Sequence, residues 1–145
     1  MIFKFACNQD INSWLELLEL VRNSFPGLEM KEYKENLQKS IANKEALIAK
    51  KDKQVIGTLA FSSSNGELTF LAVHPQYRKM GIARNLIKKM ISLFPSGSEL
   101  SVITYREDDL QGVAARKLYQ SMGFERGELL EIFDYPCQKL TYSVK

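Results

Sequence analysis

The stretch between Glu67 and Glu99 contains no acidic residue, yet it carries five basic ones, which are Arg78, Lys79, Arg84, Lys88 and Lys89. Gly81 lies among them, where a segment with helical spacing of apolar residues begins. Unpaired N–H groups and the positive end of the helix dipole attract anions at such a helix start. A glycine there lets the backbone approach an oxygen-rich ligand without a Cβ in the way. These residues therefore predict a phosphate-binding site.

The elements that must position this site follow from apolar spacing and turn residues. Strands are predicted over 2–6, 46–49, 55–62, 67–73, 100–104, 124–133 and 137–144, and helices over 11–25, 29–42, 81–94 and 112–122. Asn65 and Gly66 predict a type I′ turn between two strands, because that pair accepts positive φ values. The order of elements predicts one mixed α/β domain over residues 1–145.

Composition narrows the class of protein. The chain has 20 basic and 17 acidic residues and a net charge of +3, too small an excess to indicate nucleic acid or an anionic membrane as the main partner. The longest apolar run, 68–73, is far shorter than the roughly 20 residues of a membrane helix. Cys7 and Cys137 lack the spacing of a zinc or redox motif. We expect a cytoplasmic protein with reduced cysteines and no metal, and leave open whether it forms a homodimer.

Two segments resemble the signatures of one family. Val73 to Pro75 and Tyr77 to Ala83 resemble the strand-to-helix signature of the GNAT superfamily of N-acetyltransferases, whose core is Arg/Gln-x-x-Gly-x-Gly/Ala. Ala115 to Phe124 resembles its second motif, Ala-x-x-Leu-Tyr-x-x-x-Gly-Phe. The resemblance implies a GNAT-like domain whose central mixed sheet has six to seven strands, is flanked by about four helices and splays between the fourth and fifth strands.

The resemblance also implies acetyl-coenzyme A as cosubstrate, with its pyrophosphate held by backbone amides of the basic loop. The residues it assigns to this cosubstrate are Leu71, Ala72, Val73, Arg78, Lys79, Met80, Gly81, Ile82, Ala83, Arg84, Gln111 and Tyr119. A backbone N–H of the strand around 71–73 would stabilise the oxyanion. Gly112 stands where the family usually has an asparagine that contacts coenzyme A, and Gln111 is the neighbouring amide.

Tyr119 is the candidate general acid. In relatives the matching tyrosine points at the sulfur of the thioester. A phenol with a pKa near 10 is suited to protonate a thiolate whose conjugate acid has a pKa near 8.5. The alternative is a core tyrosine on the helix face that also carries Ala115 and Met122.

Glu67 is the candidate general base, because some family members have a glutamate at this position. Strand alternation places it on one face with Thr69, Leu71 and Val73. The alternatives are that Glu67 only closes a hairpin, or that the base is an ordered water, Asp108 or Asp109. His74 is expected to face solvent without a catalytic role, and Cys137 is not expected to be a nucleophile.

These observations predict an N-acetyltransferase that moves acetyl from acetyl-coenzyme A to a primary amine of a small molecule or peptide, by direct transfer in a ternary complex. The alternative is a non-catalytic acyl-coenzyme A sensor of the same fold. A nucleic-acid binder using surface lysines is the third class. The identity of the acceptor stays open. Acidic residues in the segments that border the acceptor side in relatives either select a cationic amine or are ordinary surface charges. They are Glu29, Glu32, Glu35, Asp108, Asp109, Glu128, Glu131 and Asp134.

Overall fold

The computed structural model describes all residues from Met1 to Lys145. Its seven strands are β1 (Ile2–Phe5), β2 (Ala46–Lys51), β3 (Gln54–Ser62), β4 (Glu67–Val73), β5 (Glu99–Tyr105), β6 (Glu125–Ile132) and β7 (Tyr135–Ser143). Its helices are α1 (Ile11–Leu20), α2 (Met30–Ala42), α3 (Ile82–Ser92) and α4 (Val113–Ser121). The strands form one sheet in the order β1-β2-β3-β4-β5-β7-β6. The predicted mixed α/β fold, with its strand and helix numbers, is confirmed.

The sheet is mixed because one neighbouring pair of strands is parallel. β4 runs parallel to β5, and this pairing consists of two residue pairs, Glu67 with Ser101 and Leu68 with Val102. β1 with β2, β2 with β3, β5 with β7 and β6 with β7 are antiparallel. Parallel pairing is thus limited to the first two residues of β4 and the third and fourth residues of β5.

The chain divides into two compact units. Unit 1 comprises Met1–Phe61 and Phe70–Met90, and unit 2 comprises Ser62–Thr69 and Ile91–Lys145. The boundaries fall inside β3, β4 and α3, so these three elements contribute residues to both units. No helix is long and apolar enough to cross a membrane.

Unit 1 has a core between its two N-terminal helices and the strands. α1 and α2 each bury one apolar stripe, and Trp14 and Leu37 are almost completely buried on these stripes. Trp14 Nε1 donates a hydrogen bond to the Tyr33 hydroxyl at 2.9 Å, which joins the two helices. Phe70 of β4 packs against Phe25 and Tyr33, with ring centroids 4.6 and 5.3 Å away.

The first helix is shorter than its apolar spacing predicts. The α-helix ends at Leu20, and a 3-10 turn over Arg22–Ser24 follows before Pro26. Asn23 and Ser24 favour turns over helix interiors because their side chains compete for backbone hydrogen bonds. The other predicted elements agree with the structure to within one or two residues at most ends.

Unit 2 packs α4 and the apolar side chains of β5 and β7 together. Leu100, Val102 and Leu140 are buried at the centre of these strands. Phe124, directly after α4, lies between Tyr119 and Tyr142, with ring centroids 5.8 and 5.2 Å away. The predicted Tyr-x-x-x-Gly-Phe spacing thus places an aromatic cluster at the end of α4.

The type I′ turn predicted at Asn65 and Gly66 is wrong. Only Gly66 has a positive φ, +68°, and its N–H donates to Ser62 O at 2.9 Å, which closes a longer loop. A two-residue turn with two positive φ values occurs instead at Phe133 (50°) and Asp134 (64°), between β6 and β7. Neither residue is a glycine, so no Asn-Gly or Asp-Gly pair marks this turn.

Candidate active site

In unit 1, the basic loop ends at the first turn of α3. Lys79 and Gly81 both have left-handed backbone conformations, with φ of 64° and 79°. The first hydrogen bond of the helix joins the Asn85 N–H to Gly81 O at 3.0 Å. The N–H groups of Gly81, Ile82 and Ala83 therefore have no acceptor in the helix. These donors lie in the segment for which the sequence predicts an anion site.

The space above this loop is open. A Cβ added to Gly81 would meet only one atom within 4 Å, Nδ2 of Asn85 at 3.9 Å. Arg78, Lys79 and Met80 are exposed. Unpaired backbone donors, positive charge and free space fit a pyrophosphate, so the loop has the residues that the predicted cosubstrate requires.

Gly57 of β3 positions the loop and was missed by the sequence reasoning. A Cβ at Gly57 would lie 2.6 Å from Cγ2 of Ile82 and 3.2 Å from Cδ1 of Leu86. Ile82 and Leu86 are buried and hold the start of α3 against the bare backbone of β3. A glycine inside a strand is the signal for such a close approach.

His74 differs from its expected exposure, because it is 9% exposed and not solvent-facing. Its Nδ1 accepts a hydrogen bond from the Gln76 N–H at 3.1 Å, and its ring meets Tyr77 edge-on at 5.3 Å. It caps the short turn over Pro75–Tyr77, which precedes the basic loop. Lys51 Nζ lies over the ring of Tyr77, 5.3 Å from its centre.

The predicted residues of β4 are only partly enclosed. In unit 1, Leu71 and Val73 are half-buried and Ala72 is 7% exposed. In unit 2, Glu67 is half-buried, and its N–H donates to Asn65 Oδ1 at 3.2 Å. Its carboxylate has no ion pair, so it is available as a proton acceptor.

Tyr119 is a buried residue of unit 2, with 5% of its surface exposed. Burial raises the pKa of its phenol to about 12. The hydroxyl has no hydrogen-bond partner, and the ring packs against Phe124. Tyr119 is therefore neutral at physiological pH and able to donate a hydrogen bond. Its burial also fits the alternative interpretation, that of a core tyrosine.

Packing in the loop before α4 explains why Gly112 stands where the family usually has an asparagine. A Cβ at Gly112 would lie 2.5 Å from Cβ of Tyr105, so no side chain fits there. Gln111 is exposed, and its N–H donates to Asp109 Oδ1 at 3.0 Å. The other oxygen of Asp109 accepts from the Tyr135 hydroxyl at 2.5 Å, a bond that raises the pKa of Tyr135 to about 12. Both carboxylate oxygens of Asp109 thus accept hydrogen bonds, whereas Asp108 is exposed.

Arg116 was not predicted as part of a site. It is 4% exposed, and its Nη1 donates to Tyr105 O and to Gln138 Oε1, both at 2.9 Å. Gln138 Nε2 in turn donates to Gly127 O at 3.1 Å. Nη2 of Arg116 is fully buried without a partner. The one sequence signal for the burial of Arg116 is its position beside the apolar residues of α4.

No group of three or more histidine, cysteine, aspartate or glutamate residues is arranged to hold a metal ion. Both cysteines are free thiols, and Cys7 donates through Sγ to Asp10 Oδ2 at 3.2 Å.

Comparison with known proteins identifies the fold and the family. Human N-alpha-acetyltransferase 30 is 37% identical over 65 residues, a segment that spans 45% of this chain and 17% of that protein. An acetyltransferase of the GNAT family from Bacillus cereus superposes with a TM-score of 0.77 at 20% identity, covering 98% of this chain and 96% of that chain. Naa50 of Arabidopsis thaliana, in complex with the bisubstrate analogue CoA-Ac-MVNAL, has a TM-score of 0.72 at 19% identity, covering 98% and 97%.

The family model for the acetyltransferase (GNAT) family matches residues 14–124, which include the basic loop and all of α4. This match spans most of the chain and agrees with the seven-stranded sheet. The chain therefore belongs to the GNAT family of acetyltransferases.

Proposed function

We propose that this chain transfers an acetyl group from acetyl-coenzyme A to a primary amine of a small molecule or peptide, directly in a ternary complex. The observation that carries the proposal is the open backbone at Gly81, with its unpaired N–H groups and exposed basic neighbours. Family membership supports acetyl as the group transferred. We also propose that the protein is cytoplasmic and that the reaction needs no metal ion.

The loop binds the pyrophosphate through backbone N–H groups of residues 79–83. The charges of Arg78, Lys79 and Arg84 add attraction that weakens with salt. The strand residues Leu71, Ala72 and Val73 supply backbone donors for the pantetheine arm and for the developing oxyanion. Gln111 is the exposed amide nearest to the position that Gly112 leaves without a side chain.

The acceptor amine attacks the thioester carbonyl carbon, the amide bond forms, and the C–S bond breaks. Glu67 takes the proton of the amine, directly or through a water, because its carboxylate has no other partner whereas Asp109 binds Tyr135 and Gln111. Tyr119 donates a hydrogen bond to the departing thiolate. Complete proton transfer from a phenol with a pKa of about 12 to a thiolate near 8.5 is unfavourable. The thiolate therefore takes its proton from water after release.

The cosubstrate site is tested by Gly81→Glu, with Gly27→Glu as its matched control. Both glycines have positive φ, 79° and 85°, and both have room for a side chain, so the backbone strain is alike. Only Gly81→Glu brings a carboxylate to the anion site. We expect a loss of coenzyme A affinity of at least about 100-fold in calorimetric titration, a penalty of roughly 3 kcal/mol. Equal affinities in both variants would remove the loop from the site.

Catalysis is tested by thiol release from acetyl-coenzyme A with a panel of amines and peptides. We expect Tyr119→Phe to lower kcat by about 100-fold while the affinity for acetyl-coenzyme A is retained. Because burial holds the Tyr119 pKa near 12, its donor role should persist through pH 10. A fully active Tyr119→Phe variant would remove Tyr119 from the mechanism.

One observation favours the second candidate, a non-catalytic acyl-coenzyme A sensor. The core packing of Tyr119 gives this residue a structural reason to be present without catalysis. The two functions separate in a single experiment. A sensor binds acetyl-coenzyme A but releases no thiol with any acceptor.

A further inference from the structure

Unit 2 contains a cavity of about 690 Å³, which is lined by Arg106, Glu107, Asp108, Arg126, Gly127, Leu129 and Gln138. It lies against β6, β7 and the loop after β5. None of the residues assigned to acetyl-coenzyme A lines it. The balance of charges around this cavity indicates what it binds.

Two of the charged side chains neutralise each other. Arg126 Nη2 lies 2.9 Å from Glu107 Oε1, which makes an exposed ion pair. Arg106 has no carboxylate partner. Its Nε donates to Cys137 O and its Nη2 to Leu130 O, both at 3.1 Å, so the guanidinium is fixed while Nη1 stays available. A fixed guanidinium with a free N–H edge is suited to bind a carboxylate.

Arg116 adds a second uncompensated positive charge. Its acceptors are neutral, the Tyr105 carbonyl and the Gln138 amide, and one nitrogen has no partner. Gln138 lines the cavity. The carbonyl oxygen of Cys137, the residue that precedes it, accepts a hydrogen bond from Arg106. Burying a guanidinium without a counter-charge is costly, and its field extends further where water is excluded. Arg106 and Arg116 thus donate hydrogen bonds to neighbouring residues of β7, and neither arginine is paired with a carboxylate.

We propose that this cavity binds the carboxylate of the acetyl acceptor, which is then a small amino acid-like amine. Arg106 contacts the carboxylate through Nη1. Arg116 is a positioning residue, because its bond to Gln138 Oε1 fixes the amide that lines the cavity and turns Nε2 toward Gly127 O. Asp108, exposed at the same cavity, attracts the ammonium end. The assignment of the ligand as acceptor rests on the proposed function.

The test compares the common L-amino acids with their amides, which differ in one charge and little in size. We expect kcat/KM to be at least about 10-fold higher for the acids. Arg106→Gln should bring the ratio close to one, and Arg106→Lys should retain part of it. Arg22→Gln, which removes an exposed arginine of unit 1, controls for net charge and should leave the ratio unchanged.

Gln138→Glu tests the role of Arg116 with a nearly isosteric change. The glutamate still accepts from Arg116 and neutralises its charge, and it loses the donor to Gly127 O, so the preference should shift toward amides. Urea unfolding of each variant separates loss of fold from loss of preference. A wild-type ratio near one, or a ratio that Arg106→Gln leaves intact, would overturn the proposal.

Binding of N-acetylated amino acids and their amides, measured by ligand-observed NMR, makes the result independent of turnover. If no amine supports thiol release, the proposed function fails while the carboxylate preference is still measurable. Selective, Arg106-dependent binding of the acids supports the carboxylate site in that case. Equal or absent binding of acids and amides contradicts it.

Discussion

Unit 1 buries one aspartate, Asp10, and unit 2 buries one arginine, Arg116, and the two charges have different partners. Asp10 lies 2.7 Å from Lys50 Nζ and 3.8 Å from Lys4 Nζ, and it also accepts from the N–H and Sγ of Cys7. Arg116 has only neutral acceptors and one nitrogen without a partner. The charge of Asp10 is therefore compensated by side chains of the fold, whereas the charge of Arg116 has no carboxylate beside it.

The largest effect is expected for Asp10→Ala. This change removes the buried acceptor of Lys50 and of the Cys7 N–H, and each hydrogen bond to a charged group contributes about 1.5–3 kcal/mol. The free energy of unfolding in urea measures it. Asp10→Asn, which removes the charge but keeps one of the two acceptor oxygens, is the matched variant and should cost less. A change below about 1 kcal/mol for Asp10→Ala would mean that Asp10 is not integrated into the fold.

Arg116→Met should cost less than Asp10→Ala, about 1–2 kcal/mol. The methionine retains much of the apolar volume, and no ion pair is broken, but Tyr105 O and Gln138 Oε1 lose their donor. The same urea measurements compare the two variants. Equal losses would show that Arg116 is as fully compensated as Asp10, and the contrast between the units would disappear.

Gly112→Asn restores the family residue and tests how firmly Tyr105, whose carbonyl binds Arg116, is held. Because the new Cβ would lie 2.5 Å from Tyr105 Cβ, we expect a loss of about 1–3 kcal/mol from overpacking. Tyr105→Gly in the same chain removes the clash. In a double-mutant cycle, the two changes together should therefore cost less than the sum of the single changes. Additive costs would show that Tyr105 moves aside freely.

The basic loop and the Arg116 network also differ in how far sequence predicts them. The loop could be predicted because Arg78, Lys79 and Gly81 are neighbours in the chain and act through a local feature, the start of α3. Gln138 and Gly127 reach Arg116 only through the register of β6 with β7, which includes a bulge between Arg126 and Leu129. Local patterns do not determine such a register, so the network required the structure.

The burial of His74 and the position of the two-residue turn have the same cause. A single histidine in a loop gives no local sign of burial, since its contacts with Gln76 and Tyr77 depend on the backbone path. At the two-residue turn the pairing of Ile132 with Tyr135 imposes positive φ on Phe133, a residue type that does not favour it. Tertiary pairing outweighs local preference at these places.

The smallest expected effect is the dependence of stability on acid, which should involve Asp10 and not Arg116. Burial is the largest single influence and raises the pKa of Asp10, but Lys50, Cys7 and Lys4 together outweigh it, so the pKa is lowered overall. A carboxyl with a depressed folded pKa stabilises the protein above its unfolded pKa, near 3.9, and loses this contribution as the pH falls through the folded value. The unfolding free energy of the wild type should therefore decrease more steeply below pH 4 than that of Asp10→Asn. Arg116→Met should keep the wild-type slope, because a guanidinium does not titrate there. Parallel curves for the wild type and Asp10→Asn would contradict the ion-pair assignment in unit 1.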